Sequence, residues 1–318
     1  MSNASKIAFV FPGQGAQSVG MGHDFFMEPA GRRIYEVFNR EVSSDLSTIC
    51  FEGPEETLRR TLYTQPAILA TSLAALAVFL EKCPIQPTLV AGHSLGEYGA
   101  LYAAGVISLE ASAQLIKQRC QLMEEAPAGA MSAVLGLAAL TITRVLSDYQ
   151  IQHHQAVIAV ANDNSDSQVV ISGQPEAIEA VAPLLKAAGA KRVLSLPVGG
   201  AFHSPLMASA AKTFAETLNQ FPFNEARCPV ISNVDAMLAC EGEHLREKLS
   251  RQIESPVCWT PTMRRMQEEG VDTVIEFGPG KVLTGLFGRV CPEFKLFNVF
   301  DLASATAVSE ALAIPIGV

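Results

Sequence analysis

A serine inside a glycine-flanked pentapeptide is the residue of this sequence best suited to act as a nucleophile. Residues 92–96 read GHSLG and fit the G-x-S-x-G pattern, with Ser94 at its centre. In that pattern a sharp turn between a strand and a helix lifts the hydroxyl clear of the backbone, and the flanking glycines leave room for the turn. An apolar strand predicted at 88–91 and a helix predicted at 95–104 supply this context. The pattern therefore predicts Ser94 as the nucleophile of covalent chemistry.

A serine hydroxyl needs a general base at neutral pH, and histidine is the most common one. Five of the six histidines suit this role poorly, because they lie in a polar or charged stretch, inside the predicted insert described below, or within the elbow itself; these are His23, His93, His153, His154 and His244. His203 instead lies in a glycine-containing loop that follows a strand predicted at 191–196. Elimination and loop context together predict His203 as the base.

The strands and helices that must position these residues are predicted to form an α/β fold with a parallel sheet. Short apolar strands alternate with helices along most of the chain, a rhythm typical of a parallel sheet buried on both faces. The strands are predicted at 7–11, 88–91, 229–232, 271–277 and 294–299, and the helices at 65–80, 95–104, 109–125, 209–219, 245–252 and 260–269.

The rhythm changes between residues 128 and 196. There the order of predicted elements is β-α-β-β-α-β, which is that of a ferredoxin-like unit. Its strands are predicted at 130–137, 156–161, 168–172 and 191–196, its helices at 141–149 and 175–188, and residues 162–167 form a polar turn. The sequence thus predicts a large α/β domain of residues 1–127 and 197–318, with residues 128–196 inserted as a small α+β subdomain.

Composition narrows the possible classes of protein. The 318 residues are 49% hydrophobic and 17% charged, so the chain can bury a substantial core. A net charge of −9 argues against a general nucleic-acid binder. No unbroken apolar run reaches the roughly 18 residues of a membrane span, and the polar start does not resemble a signal peptide. Seven cysteines without C-x-x-C spacing predict neither a disulfide framework nor structural zinc, and favour a reducing cytoplasm.

Four motifs give the chain a family resemblance. Residues 11–17 (FPGQGAQ), 92–98 (GHSLGEY), 200–204 (GAFHS) and 278–283 (GPGKVL) follow one another in order and cover nearly the whole chain. Together they resemble the malonyl-CoA:acyl carrier protein transacylases of bacterial fatty-acid synthesis. The fold of that family is a hydrolase-like α/β domain with a ferredoxin-like insert. The resemblance therefore implies the same architecture that the pattern of elements predicts.

The resemblance also implies a mechanism. Ser94 would attack the thioester of malonyl-CoA while His203 takes its proton, and the N–H groups of Gln14 and Leu95 would meet the oxyanion. The resulting malonyl-serine ester would then pass to the phosphopantetheine thiol of an acyl carrier protein, in a ping-pong exchange. Such a reaction needs no cofactor and no metal ion beyond its substrates.

Two further residues receive roles only through the resemblance. A helical arginine is usually a surface residue. The family, however, places one at Arg119 to hold the free carboxylate of malonate, for which a guanidinium fork is well shaped. No acid between Ser94 and His203 lies in an obvious motif. The family orients its histidine with a carbonyl near a glutamine instead, and Gln252 matches that position.

Several alternatives stay open at the level of sequence. The chain could serve a polyketide synthase or a malonate-metabolising system, and gene neighbourhood would separate these from fatty-acid synthesis. A serine thioesterase or esterase is a third possibility, although the missing acid and Arg119 count against it. A carrier-binding subunit without catalysis is disfavoured by the intact pair Ser94 and His203.

The carrier partner raises a question of charge. Carrier proteins are acidic, so docking on a chain of net charge −9 requires a local basic patch. The candidates are Lys191–Arg192, Arg264–Arg265, Lys281 and Arg289, and solvated surface charge is an equal explanation for each. We expect the protein to be a monomer, with malonyl-CoA and the carrier as partners and neither nucleic acid nor membrane among them.

Overall fold

The computed structural model describes residues 5–312 and contains two sheets. In chain order the strands are β1 Ile7–Phe11, β2 Leu89–Gly92, β3 Ala130–Leu135, β4 Ile158–Ser165, β5 Gln168–Gly173, β6 Arg192–Ser195, β7 Val230–Ile231, β8 Leu238–Ala239, β9 Thr273–Phe277 and β10 Lys295–Val299. The larger sheet has the order β10-β9-β1-β2-β7-β8 and is parallel except at its edge, where β8 runs antiparallel to β7. This is the predicted parallel α/β sheet.

Helices cover both faces of the large sheet. Those of the described residues are α1 His23–Met27, α2 Pro29–Val42, α3 Leu46–Glu52, α4 Glu55–Arg59, α5 Thr61–Lys82, α6 Gly96–Ala103, α7 Leu109–Glu124, α8 Ala139–Gln152, α9 Pro175–Ala187, α10 Ala208–Leu218, α11 Gly242–Arg251, α12 Trp259–Glu268, α13 Val282–Val290 and α14 Leu302–Leu312. All the predicted helices are confirmed. The segments that form α1 to α4, α13 and α14 are helical without a helix having been predicted for them from the sequence.

Helix α5 lies in the core of the large domain. It is the one helix within residues 5–312 that length and mean hydropathy would allow to cross a membrane, and 83% of its most apolar window is buried inside the protein. Scattered Thr, Gln and Ser interrupt its apolar run, which is why the run looks shorter in the sequence than the helix is. Burial by neighbouring helices accounts for its composition, since a helix apolar on all sides must be covered.

The smaller sheet has the order β4-β5-β3-β6, and all its neighbours are antiparallel. Helices α8 and α9 connect its strands, which gives the ferredoxin-like topology predicted for the insert. The predicted polar turn at 162–167 is wrong in extent, because β4 continues to Ser165. Pairing of β4 with β5 holds these polar residues in the strand, with two irregularities in register, and leaves only Asp166 and Ser167 to turn.

Two contacts tie the small sheet to the large domain. Ala128 bridges Gly200 where the chain enters and leaves the insert. At the free edge of the small sheet, Asn162 on β4 bridges Val257, which lies two residues before α12. The backbone hydrogen bonds on both sides of Asn162 are 2.8 and 3.0 Å long. The small sheet is therefore fixed at two places over the carboxyl end of β2, where Ser94 lies.

Candidate active site

Ser94 lies at the sharp turn between β2 and α6, as the pentapeptide predicts. Its φ of 53° is in the left-handed region, which few non-glycine residues adopt. The turn is possible only without side chains on either flank. A Cβ on Gly92 would lie 1.9 Å from the carbonyl of Gly96, and one on Gly96 would lie 2.1 Å from the carbonyl oxygen of Phe11. Strain at a reactive residue is a common feature of functional sites.

Asn233 braces this turn from the loop after β7. Its side-chain oxygen accepts a hydrogen bond of 2.7 Å from the backbone N–H of Ser94. Its side-chain NH₂ donates one of 2.6 Å to the carbonyl of Gly92. Asn233 is buried, so both bonds are shielded from water. One amide side chain thus holds the serine and the last residue of β2 in place.

His203 reaches the serine from the loop that returns from the insert. Its Nε2 lies 2.8 Å from Ser94 Oγ. Its Nδ1 faces two backbone carbonyls, those of Gln252 at 2.9 Å and Ser255 at 3.1 Å. Because carbonyls only accept, Nδ1 carries the proton and Nε2 is left free to accept the serine proton. The two carbonyls occupy the place that a carboxylate takes in hydrolases of this fold.

Burial is the main cause that lowers the pKa of His203 to about 3, and the positive charge of Arg119 is the second. The imidazole is therefore neutral throughout the neutral range. A neutral imidazole is the form that can accept a proton from the serine hydroxyl.

Arg119 extends from α7 into the same site, although it is only 1% exposed. Its Nη2 donates to Ser94 Oγ and to the side-chain oxygen of Gln252, each at 3.0 Å, and its Nη1 donates to Gln65 at 2.5 Å. No carboxylate of residues 5–312 forms an ion pair with it, and its Nε has no partner there. A buried guanidinium without a direct counter-charge is an electrostatic site for an anion.

Gln252 joins these groups through its side chain as well as its carbonyl. Its NH₂ donates to the carbonyl of Ser94 at 2.9 Å and to the carboxyl of Glu97 at 2.6 Å. Glu97 is 1% exposed and also accepts from Ser232 Oγ at 2.9 Å. Burial raises the pKa of Glu97 to about 7, against the lowering effect of these hydrogen bonds.

Two backbone N–H groups are free to meet a developing negative charge. Those of Gln14 and Leu95 donate no hydrogen bond within residues 5–312, and both residues line the cavity at Ser94. Unpaired N–H groups beside a nucleophile are the usual means of binding the oxyanion of a tetrahedral intermediate. Gln14 and Leu95 thus line the same cavity as Ser94, and their role in binding an oxyanion stays a prediction.

The cavity at Ser94 is small, with a volume of about 110 Å³. Its walls are mostly apolar and come from both parts of the fold; they are Met123, Met131, Leu196, Val198 and Phe202. Met131 belongs to the small sheet, while Met123 follows Arg119 on α7. The cavity therefore combines these apolar walls with the polar side chains of Ser94, Arg119 and His203.

The structure brings all six predicted residues into one site and adds four that the sequence analysis missed: Gln65, Glu97, Asn233 and Ser255. Gln65 is a polar residue at the buried start of an apolar helix, and Glu97 is an acid directly after the elbow on an equally apolar helix. Polar residues in such places are unusual, and this signal could have singled them out. His93 also lines the cavity at Ser94, and its Nε2 bonds Asn164 at 2.8 Å.

The hydrolase-like sheet, the serine–histidine pair and the buried guanidinium define the class as a serine acyltransferase. Sequence comparison agrees, since residues 8–295 match the family described as the acyl transferase domain. A malonyl CoA-acyl carrier protein transacylase of Bacillus subtilis is 42% identical over 93% of this chain and 94% of its own length. One from Escherichia coli is 39% identical over 97% of each chain. This chain belongs to the malonyl-CoA:acyl carrier protein transacylase family.

Solved structures are similar over the same length. An acyl carrier protein S-malonyltransferase from Vibrio cholerae superposes with a TM-score of 0.91 at 42% identity, covering 96% of this chain and 100% of that one. A malonyl-transacylase in complex with a type II polyketide synthase acyl-carrier protein gives a TM-score of 0.92 at 39% identity, with the same coverage. The predicted fold, a hydrolase-like α/β domain with a ferredoxin-like insert, is confirmed.

Proposed function

We propose that this chain transfers a malonyl group from malonyl-CoA to the phosphopantetheine thiol of an acyl carrier protein in fatty-acid biosynthesis, through a malonyl ester on Ser94. One observation carries the proposal: Ser94 Oγ lies 2.8 Å from His203 Nε2 and 3.0 Å from Arg119 Nη2. The nucleophile thus faces its base on one side and a cation without a direct counter-charge on the other. An acyl group that bears a carboxylate suits this arrangement, and a neutral one leaves the guanidinium unpaired.

The steps follow from the geometry. Ser94 Oγ attacks the thioester carbon as its proton moves to His203 Nε2, and the N–H groups of Gln14 and Leu95 stabilise the oxyanion. The C–S bond then breaks and His203 returns the proton to the departing thiolate of coenzyme A. The carrier thiol repeats the sequence in reverse on the ester. These residues supply all the chemistry, so the proposal requires no cofactor.

The surface around the site supports one docking patch over another. Arg264 pairs with Asp166 at 2.6 Å, and Arg265 lies 3.2 Å from Glu268. Lys191 and Arg192 are exposed and form no ion pair within residues 5–312. They begin the segment that leads to Leu196 and Val198 in the cavity wall. We therefore favour Lys191–Arg192 as the docking site of an acidic carrier.

We also propose that the protein works as a monomer in the cytoplasm. The seven unpaired cysteines support a reducing compartment. The relative solved with a polyketide carrier keeps that pathway open as the alternative source of the partner.

An intact-mass experiment tests the nucleophile, the substrate and the arginine together. The purified protein is mixed with equimolar malonyl-, methylmalonyl- and acetyl-CoA without a carrier. We expect a malonyl adduct that is absent in Ser94→Ala and that shifts towards acetyl in Arg119→Ala. Replacing the nearby exposed Arg59 by Ala is the matched control and should leave the adduct unchanged. Steady release of coenzyme A without an adduct would instead identify water as the acceptor and a thioesterase as the function.

A further inference from the structure

Arg119 is a buried cation whose direct contacts are all neutral. Its guanidinium donates to the amide oxygens of Gln65 and Gln252 and to the hydroxyl of Ser94. A charge removed from water without a counter-charge is strongly destabilised. Within residues 5–312, its hydrogen-bond network reaches one carboxyl group, that of Glu97. The mechanism proposed above gives this carboxyl no task.

The side-chain amide of Gln252 connects the two charges. Its oxygen accepts from Arg119 Nη2 at 3.0 Å, and its NH₂ donates to Glu97 Oε2 at 2.6 Å. The amide dipole therefore has its negative end towards the guanidinium and its positive end towards the carboxyl. Such a chain of hydrogen bonds polarises each of its members in a medium of low dielectric constant. Glu97 is thus linked to Arg119 although the two do not touch.

The charged and titratable groups around Glu97 leave it as the group that titrates near neutrality. Arg119 on α7 keeps its charge. Burial raises the pKa of Tyr98, which neighbours Glu97 on α6, far above neutrality. The pKa of His203 beyond Gln252 is lowered to about 3 by burial and by Arg119. On α11, Lys248 is paired with Asp235 at 3.0 Å.

We propose that Glu97 is the resident counter-charge of Arg119, and that it takes up a proton from solvent when the malonyl carboxylate arrives on the guanidinium. This inference rests on the proposed function. Two carboxylates around one guanidinium leave a net negative charge in a dry site, and this favours the protonated form of the inner carboxyl. The remaining protons balance: the Ser94 proton passes through His203 to the thiolate of coenzyme A as the C–O bond replaces the C–S bond.

Proton uptake during acylation is the direct test. The protein is mixed with malonyl-CoA in weak buffer at about pH 7.5 with an indicator dye, and uptake is compared with the Ser94 adduct measured by mass. We expect on the order of half a proton for each adduct, because Glu97 is partly ionised there beforehand. Acetyl-CoA is the matched control: it carries the same phosphates and no carboxylate, so no uptake should accompany it.

The variant Glu97→Gln separates this role from a structural one. Glutamine keeps an oxygen towards Gln252, and its NH₂ can donate to the Ser232 hydroxyl, so the hydrogen-bonded network is retained. We expect adduct formation without proton uptake. In the natural protein the apparent affinity for malonyl-CoA should fall by roughly five- to tenfold from about pH 6.5 to about pH 8.5, whereas it should stay level in Glu97→Gln.

The outcomes are distinct. An adduct without proton uptake in the natural protein would overturn the inference and leave the proposed function intact. Equal uptake with acetyl-CoA, or undiminished uptake in Glu97→Gln, would also overturn it. The lack of any malonyl adduct would refute both proposals. Should Glu97→Gln fail to fold, the comparison of malonyl-CoA with acetyl-CoA in the natural protein decides the matter alone.

Discussion

At the scale of single residues, the notable feature is that backbone carbonyls orient the histidine proposed as the base. The carbonyls of Gln252 and Ser255 hold Nδ1 of His203, and they offer it dipoles where a carboxylate would offer a full charge. The hydrogen bonds to these carbonyls raise the pKa of His203, but burial of the ring and the charge of Arg119 outweigh them and lower it to about 3. The tautomer is fixed as firmly as in a triad, while the imidazolium is much less stable.

This low pKa predicts how stability depends on pH. The unfolded chain binds a proton on His203 below about pH 6.5, but the folded protein does so only near pH 3. The contribution of His203 to the free energy of unfolding is thus fully present above about pH 6.5 and is lost as the pH falls towards 3, by up to about 1.4 kcal/mol per pH unit. Urea unfolding of the natural protein and His203→Gln across this range measures the difference.

The natural protein must be compared with His203→Gln because Glu97 changes the free energy of unfolding with pH in the opposite direction. Its folded pKa is raised to about 7, so its contribution is present at low pH and is lost as the pH rises through that value. Both proteins contain Glu97, so its contribution cancels in the difference between their free energies of unfolding. If the difference between the two free energies of unfolding did not change with pH, the low pKa of His203 would be contradicted.

Residue types could be predicted from the sequence where a motif carries them, as with Ser94 and His203. Arg119 and Gln252 could be placed only through the family resemblance, because nothing local separates a buried helical arginine from an exposed one. Glu97 and Asn233 were missed for a physical reason. Each acts on a residue that is remote in sequence, Glu97 on Gln252 and Asn233 on Gly92, and only the folded chain brings those pairs together.

At the scale of elements, the strand–turn–helix around Ser94 depends on glycines that touch backbone. A Cβ on Gly92 would lie 1.9 Å from the carbonyl carbon of Gly96, and backbone atoms cannot move aside as a flexible side chain can. We expect Gly92→Ala to lower the free energy of unfolding by at least about 3 kcal/mol, the upper end for overpacking. It should also abolish the Ser94 adduct, since the turn would have to open.

Gly285 offers the matched control for this prediction. It lies within α13, and a Cβ there would meet nothing within 4 Å. Gly285→Ala should therefore stabilise the protein by about 0.5 to 1 kcal/mol, since alanine is the better helix former. Urea-unfolding midpoints measure both variants. Equal effects of the two substitutions would show that close packing at the elbow is not the cause.

Element types were largely predictable because the alternation of apolar strands and helices is strong. The positions at which elements end were harder to predict, and β4 is an example. Its last residues are polar and read as a turn, yet pairing with β5 and the bridge to Val257 keep them extended. Tertiary pairing overrides local composition at such a place. The helices α1, α3 and α4 have only five to seven residues, too few to show the long apolar run of α5 or the periodicity of α7. Helix α2 has 14 residues with one buried face, so the periodicity of its apolar residues could have revealed it.

At the scale of the whole molecule, residues from both parts of the fold line the cavity at Ser94, so we expect the carrier to deliver its thiol between them. The docking patch then belongs near the cavity wall. Lys191 and Arg192 lie no more than about 25 Å along the chain from Val198, at the rise of an extended strand. Arg264 and Arg265 are already neutralised by neighbouring acids. The overall architecture thus favours Lys191–Arg192 as the docking site of the carrier. The local sequence alone could not rank this pair above Arg264–Arg265.

Charge reversal tests this ranking. The double variant K191E/R192E should raise the KM for the carrier by about tenfold while leaving the KM for malonyl-CoA within about twofold, because rim charges act mainly on encounter. The matched double variant R264E/R265E should change the carrier KM much less. Steady-state transfer assays at low ionic strength measure both. A larger effect of the second variant would assign the docking patch to α12.

The carbonyl-held histidine has a consequence for the choice of acceptor. A base with so low a proton affinity gives limited help to any hydroxyl nucleophile. Ser94 is helped further because its Oγ is held 2.8 Å from His203 Nε2 and accepts a hydrogen bond from Arg119, whereas a water molecule, whose pKa is about 15.7, must first be bound from solution. A thiol with a pKa of about 8.5 is already partly ionised and is intrinsically reactive, so it needs little such help. Because carbonyls and not a carboxylate orient the imidazole, the acyl ester should react readily with the carrier thiol and hydrolyse slowly. The intermediate can therefore persist until a carrier binds.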